Sequence, residues 1–100
     1  MEPMDQTDVG RIDRQGNGFV LRIDTGPIGE ITYMPDGEDT WIVDHTFVSP
    51  EHRGGNMARR LLDRVVEEAR VEGKQIIPAC SYALLQFKRN PEYADVWKQS

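Results

Sequence analysis

One stretch constrains this chain more than any other. A β-rich run, TWIVDHTFV (40–48), precedes an amphipathic helix, and a second β-rich run, KQIIPAC (74–80), follows it. Met57, Leu61, Leu62, Val65, Val66 and Ala69 recur at helical spacing and form one apolar stripe. Arg59, Arg60, Asp63, Arg64, Glu67 and Glu68 cover the opposite side, and Gly73 stands where a left-handed residue ends a helix. A helix between two strands is a connection long enough to lay them side by side in parallel. The chain therefore needs a sheet with one parallel pair and a helix packed against it.

Upstream the pattern is antiparallel. GFVLRID (18–24) and EITYMP (30–35) read as short strands, with TGPIG (25–29) as the turn between them. DGED (36–39) supplies an Asp-Gly hairpin signal before strand 40–48. Strict alternation along that strand sets Trp41, Val43, His45 and Phe47 on one face, and Ile42, Asp44, Thr46 and Val48 on the other. SYALLQFKRN (81–90) reads as a short helix ended by Asn90-Pro91, and EYADVW as a last turn. Residues 1–15 hold few large apolar side chains and read as a flexible N-terminal segment, leaving 16–100 as a single domain. The expected fold class is α+β: a mixed sheet, an antiparallel meander plus one parallel strand pair around a central helix.

Composition removes several function classes. One hundred residues, 38% of them hydrophobic, suffice for one small core. No apolar run is long enough to span a membrane, and the acidic N-terminus lacks the apolar core of a signal peptide. A single cysteine forms no internal disulfide, so a reducing, cytoplasmic setting is expected. Residues 1–51 carry 11 acids against 3 bases, and residues 52–100 carry 9 bases against 6 acids. An acidic chain of this kind is not expected to bind nucleic acid. The basic second half suits a small anionic ligand; the acidic first half is either a solvated face or an attractor of cationic substrate. Two His and one Cys, without C-x-x-C or H-x-x-x-H spacing, give no metal site.

The loop entering the long helix is unusual. Helix first turns favour Asp and Glu, because the exposed N–H groups there are positive. Residues 53–60 instead contain Arg53, Arg59 and Arg60 and no acid, and Gly54, Gly55 and Asn56 precede the helix. Either a Gly-rich turn with surface arginines or an anion site, most naturally for phosphate, meets this description. Neither a Walker A loop nor a G-x-G-x-x-G dinucleotide fingerprint is present.

The run VSPEHRGGNMARRLL resembles motif A of the GNAT superfamily of N-acetyltransferases, which reads Arg/Gln-x-x-Gly-x-Gly/Ala. Here the motif is Arg53-Gly54-Gly55-Asn56-Met57-Ala58, with Asn56 where the family prefers Gly. Asn tolerates a left-handed conformation better than other non-Gly residues, which would preserve the loop. HTFVSPEHRGG, IIPACSY and RNPEY, in that order, are similar to the small single-domain, YjdJ-like branch, and the resemblance covers most of residues 18–97.

The resemblance implies a minimal GNAT domain over 16–100, with acetyl-CoA (coenzyme A) as cosubstrate and no metal. The expected function is transfer of an acetyl group to a primary amine: a protein lysine, a polyamine or another small amine. It implies that the parallel strands splay, ending at Val48 and Cys80, with the pantetheine arm in the gap. Phe47 and Val48 would offer backbone groups to pantetheine. The amides of Arg53, Gly54, Gly55, Asn56, Met57 and Ala58 would hold the pyrophosphate, with Arg53 and Arg59 adding charge. Cys80 would sit near the thioester as nucleophile or proton donor, or else as a small packed residue. His45 is the candidate base, and on an apolar strand face it also reads as an ordinary half-buried histidine. The expected partner is an amine acceptor, not nucleic acid or membrane, and the expected state a monomer or weak homodimer. A non-catalytic CoA- or acyl-CoA-binding module is the alternative.

Overall fold

The computed structural model describes residues 10–53 and 56–98. Five strands lie in chain order in one sheet: β1 (Arg11–Arg14), β2 (Gly18–Ile23), β3 (Gly26–Pro35), β4 (Thr40–Val48) and β5 (Gln75–Pro78). The first four pair antiparallel, and β5 runs parallel to β4. Helix α1 (Met57–Glu72) makes the crossover between β4 and β5, and α2 (Ser81–Arg89) follows β5. The mixed sheet with one parallel pair is the one the patterning requires.

The apolar stripe of α1 buries Leu61, Leu62, Val65, Val66 and Ala69. They join Phe19, Leu21, Ile31, Val43 and Ile76 of the sheet in a single core. Gly73 closes the helix at φ 72°, in the left-handed region where glycine carries no Cβ penalty. Helix α2 adds Ala83 and Phe87 to the same core, and the Phe87 ring stacks on Tyr93 with centroids 5.0 Å apart. The expected last turn is a 3-10 turn over Pro91–Tyr93, after which the chain covers the outer edge of β5. There the Ile76 N–H donates to the Val96 carbonyl at 2.6 Å, and the Lys98 N–H donates to that of Ile76 at 2.8 Å.

Three local expectations are corrected. Residues 11–14, read as part of a flexible segment, form β1, while residues 1–9 of that segment lie outside the described residues. Ile12 is its one large apolar side chain packed against the core, and an arginine adds a second anchor. The Arg14 guanidinium lies 5.5 Å from the Phe19 ring centroid, donates to the Tyr33 hydroxyl, and pairs with Glu68 and Glu72 of α1 at 3.5 Å each. The turn between β2 and β3 is shorter than TGPIG suggests, because β3 starts at Gly26. Pro27 is tolerated inside the strand beside a bulge, where the pairing shifts from Leu21↔Gly29 to Arg22↔Pro27.

The third correction matters most. Alternation along β4 breaks at a second bulge, where Thr32 pairs with His45 and Tyr33 with Val43, leaving Asp44 extra. Trp41 and Val43 face the helices, but beyond the bulge it is Thr46 and Val48 that take that side; Val43 is 0% and Val48 6% exposed. His45 and Phe47 turn to the opposite face, where Phe47 is 43% exposed. That face, shared with Glu30 through its pairing with Phe47, is the open side of the sheet.

Candidate functional site

The site is built where β4 and β5 part. Their pairing runs from Thr40↔Gln75 to Val43↔Pro78 and ends there. Pro78 has no N–H to continue the ladder. The next two N–H groups, of Ala79 and Cys80, both donate to the Val43 carbonyl at 2.9 and 3.2 Å, which turns the chain out of the sheet and into α2. β4 continues to Val48, still paired with β3. Residues 44–48 therefore present one backbone edge that no longer has β5 beside it. The bulge at Asp44 sits at the branch point and bends β4 as β5 departs.

Cys80 lies at the mouth of this fork. It is the N-cap residue of α2, and its Sγ accepts the Ala83 N–H at 3.5 Å. Across the gap, Thr46 Oγ1 lies 3.5 Å from the same sulfur. The half-buried thiol is thus held by both walls of the fork. Thr46 is a site residue that alternation alone conceals, because the bulge is what turns it toward Cys80. Tyr82 follows one residue into α2, and burial pushes its phenol up from the ordinary tyrosine value.

His45 does not share that side of β4. Its side chain is half exposed on the open face, with Nε2 3.2 Å from Glu30 Oε2. Thr32 Oγ1 donates to Asp44 Oδ1 at 2.8 Å on the neighbouring rung. The two expected catalytic residues therefore flank β4, Cys80 with Thr46 on one side and His45 with Glu30 on the other. Beside the His45–Glu30 pair, the open face holds a cavity of ≈ 300 Å³ walled by Val20, Arg22, Pro27, Glu30 and Phe47.

The loop after β4 begins with a 3-10 turn over Pro50–His52. Arg53 then reaches back, its Nε donating to the Val48 carbonyl at 2.8 Å and its guanidinium lying 5.6 Å from the Phe47 ring centroid. Gly54 and Gly55 lie outside the described residues. Asn56 is the N-cap of α1 at φ −109°, ψ 23°, so its tolerance of left-handed backbone is not used. Its side chain makes no capping hydrogen bond and the first turn holds no acid, which leaves the leading N–H groups of α1 uncapped by side chains. Met57 and Ala58 are half-buried against the core. Among the described residues, His52 Nδ1 is buried without a hydrogen-bond partner.

Arg59, expected to add charge at this loop, is committed elsewhere. Its guanidinium donates to the Tyr93 hydroxyl, to Asp63, and to Glu92 at 2.9 Å, which ties α1 to the C-terminal segment. Burial and a hydrogen bond to Asp63 push the Tyr93 phenol well above the ordinary range.

Among the described residues no helix is long and apolar enough to cross a membrane, and no group of three or more His, Cys, Asp or Glu could hold a metal ion. A family model described as GCN5-related N-acetyl-transferase matches residues 18–96. A GCN5-like protein from Staphylococcus aureus, solved by NMR, is similar over 90% of this chain and 89% of its own, with 32% identity and a TM-score of 0.75. A GNAT-family protein from Desulfovibrio desulfuricans matches 72% of this chain at 21% identity and a TM-score of 0.60. A GNAT-family acetyltransferase from Elizabethkingia anophelis, solved with acetyl-CoA bound, matches 73% at 16% identity and a TM-score of 0.57. This chain spans 52% of each of the latter two chains. No curated protein matches it.

Proposed function

This chain belongs to the GCN5-related N-acetyltransferase family, and from that premise we propose that it transfers the acetyl group of acetyl-CoA to a primary amine at the fork between β4 and β5. The single observation that carries the reading is the fork itself. A strand edge without its neighbour, over residues 44–48, offers the backbone groups that an extended amide-bearing arm such as pantetheine can pair with. Phe47 and Val48 are the residues we assign to that contact. The residues at the loop fit the phosphate end: α1 opens without a capping side chain or an acid, and His52 Nδ1 lies buried and unpartnered one residue before Arg53. We assign the pyrophosphate to the loop from Arg53 through Gly54, Gly55 and Asn56 to Met57 and Ala58. Arg59 is not included, because its charge is spent on Asp63 and Glu92. The domain we assign begins at Arg11, with β1 as part of the sheet.

The chemistry requires an ammonium to lose its proton, its nitrogen to attack the thioester carbonyl carbon, and the C–S bond to break. The leaving sulfur takes the bond pair and then a proton, so one proton per turnover reaches solvent. We assign Cys80 to a two-step version, in which its sulfur takes the acetyl group first and the amine removes it. With the Ala83 N–H directed at Sγ and the Thr46 hydroxyl beside it, the sulfur is held for attack. His45 serves as base from the other side of β4.

Thermal melting with acetyl-CoA, followed by thiol release across an amine panel, tests the proposal. Ligand at a hundred times its Kd stabilises the fold by ~2.7 kcal/mol, a rise of many degrees for a domain of this size. No rise in Tm removes the reading. Intact mass after incubation with acetyl-CoA alone checks the covalent version, which predicts one added acetyl group. A second reading, a CoA-binding module without turnover, is favoured by the open face, where Met34 is 54% and Phe47 43% exposed among the described residues. Tight CoA binding with no thiol release for any amine would select it.

A further inference from the structure

We propose that the cavity on the open face is the acceptor site, and that it takes a small amine that also carries a carboxylate, of the free amino-acid type. The inference rests on the acetyltransferase reading above and names the substrate class of that site.

Position comes first. The cavity shares Phe47 with the forked part of β4 and shares Glu30 with His45. It is therefore joined to the fork by backbone and to the candidate base by a side-chain contact. Its volume of ≈ 300 Å³ lies at the lower end of small-molecule sites and well below what a bulky ligand needs.

Charge then selects the ligand. Glu30 supplies a carboxylate for an ammonium and lies 3.2 Å from His45 Nε2. A neutral imidazole accepts at one ring nitrogen, so His45 can take the proton the ammonium must lose. Arg22 forms the other charged wall. Among the described residues its partners are the neutral Gln15 side chain at 2.9 Å and Asp13 at 3.9 Å, which leaves donors for a ligand carboxylate. Val20, Pro27 and Phe47 supply apolar contact for the carbon skeleton between the two charges. A polyamine would meet Arg22 as a like charge. A lysine within a polypeptide would bring it no carboxylate. A zwitterion pairs both walls at once.

Transfer from this pocket balances without another reactant. The ammonium gives a proton to His45, the nitrogen forms the C–N bond as the C–S bond to CoA breaks, the nitrogen's second proton passes to the leaving thiolate to give the free thiol, and His45 returns its proton to water.

The test uses the full chain, saturated with acetyl-CoA and assayed by thiol release. The panel holds free amino acids, their decarboxylated amines, a polyamine, and a lysine peptide with both ends blocked. Amino acids should exceed their decarboxylated counterparts by at least about tenfold in kcat/KM, the worth of one charge-assisted hydrogen-bond pair. Arg22→Gln should raise KM for the amino acid by about tenfold and leave KM for acetyl-CoA unmoved, with Arg22→Lys recovering part of the loss. Glu30→Gln should lower kcat/KM for the amino acid and leave KM for acetyl-CoA unmoved. Preference for the polyamine or the peptide overturns the assignment. So does an Arg22→Gln effect on acetyl-CoA itself, which would give the cavity to the cosubstrate. An acetyl-CoA-induced rise in Tm with no turnover for any amine overturns this inference and leaves cosubstrate binding standing. No rise in Tm means that the acetyltransferase reading has failed first.

Discussion

Cys80 combines two roles that one substitution separates. Its sulfur caps α2 through the Ala83 N–H, and it stands at the fork opposite Thr46. Serine caps a helix at least as well, so Cys80→Ser should melt at or slightly above the wild type, whereas Cys80→Ala should lose roughly 0.5–1 kcal/mol. If the sulfur is the nucleophile, Cys80→Ser loses turnover and the acetylated mass while keeping its stability. Undiminished turnover would leave Cys80 a cap and a packing residue. This position was legible because its neighbours are strong local signals: Pro78 ends a ladder and Ser81 opens a helix. Thr46 was not legible. Strict period 2 puts it opposite Val43, and only a bulge, which has no reliable mark in one sequence, turns both to the same side.

Among the elements, those that rest on apolar spacing were readable and those that rest on charge were not. α1 could be placed almost to the residue, because its stripe and Gly73 state both its face and its end. β1 could not, since Arg11–Arg14 has only Ile12 as a large apolar residue. Its tether is Arg14, lying over Phe19 and paired with Glu68 and Glu72 across the sheet's helical face. Arg14→Ala should therefore release β1 ahead of the rest of the domain. Amide hydrogen exchange would show it, with protection lost over 11–14 and retained in β2 to β5. The cost to global stability should be about 1 kcal/mol, combining a partly desolvated cation–π contact with two half-exposed ion pairs. Uniform loss of protection across the sheet would mean that β1 is not a separate unit. The same limit explains Arg59. Read from the loop it looked like a phosphate ligand, but two of its partners, Tyr93 and Glu92, are some thirty residues away in sequence.

For the molecule as a whole, the charged face of α1 is more than a solvated surface. Arg59 and Arg70 hold the C-terminal segment, and Glu68 and Glu72 hold β1, so this helix binds both ends of the described chain. The arrangement has a pH signature. The hydrogen bond from Arg70 holds the Asp95 carboxyl below its ordinary value, and the hydrogen bond from Arg64 does the same for Glu68. A depressed folded-state pKa contributes stability that is fully present above the unfolded value, about 4, and is lost as pH falls through the folded one. Tm should thus be flat from neutrality to about pH 5 and decline below it. Asp95 is largely exposed and its pair with Arg70 is screened by solvent, so its share of the decline is small and shrinks further with added salt. Asp95→Asn should melt slightly below wild type at pH 7 and lose less on acidification, so the two curves converge once the pH falls below the lowered folded-state value of Asp95. A melting series at low salt reads this directly. Parallel curves would show that the C-terminal strap is held by the Phe87–Tyr93–Trp97 ring cluster rather than by charge. In that case Phe87→Ala, at roughly 3–5 kcal/mol, is the substitution that detaches it.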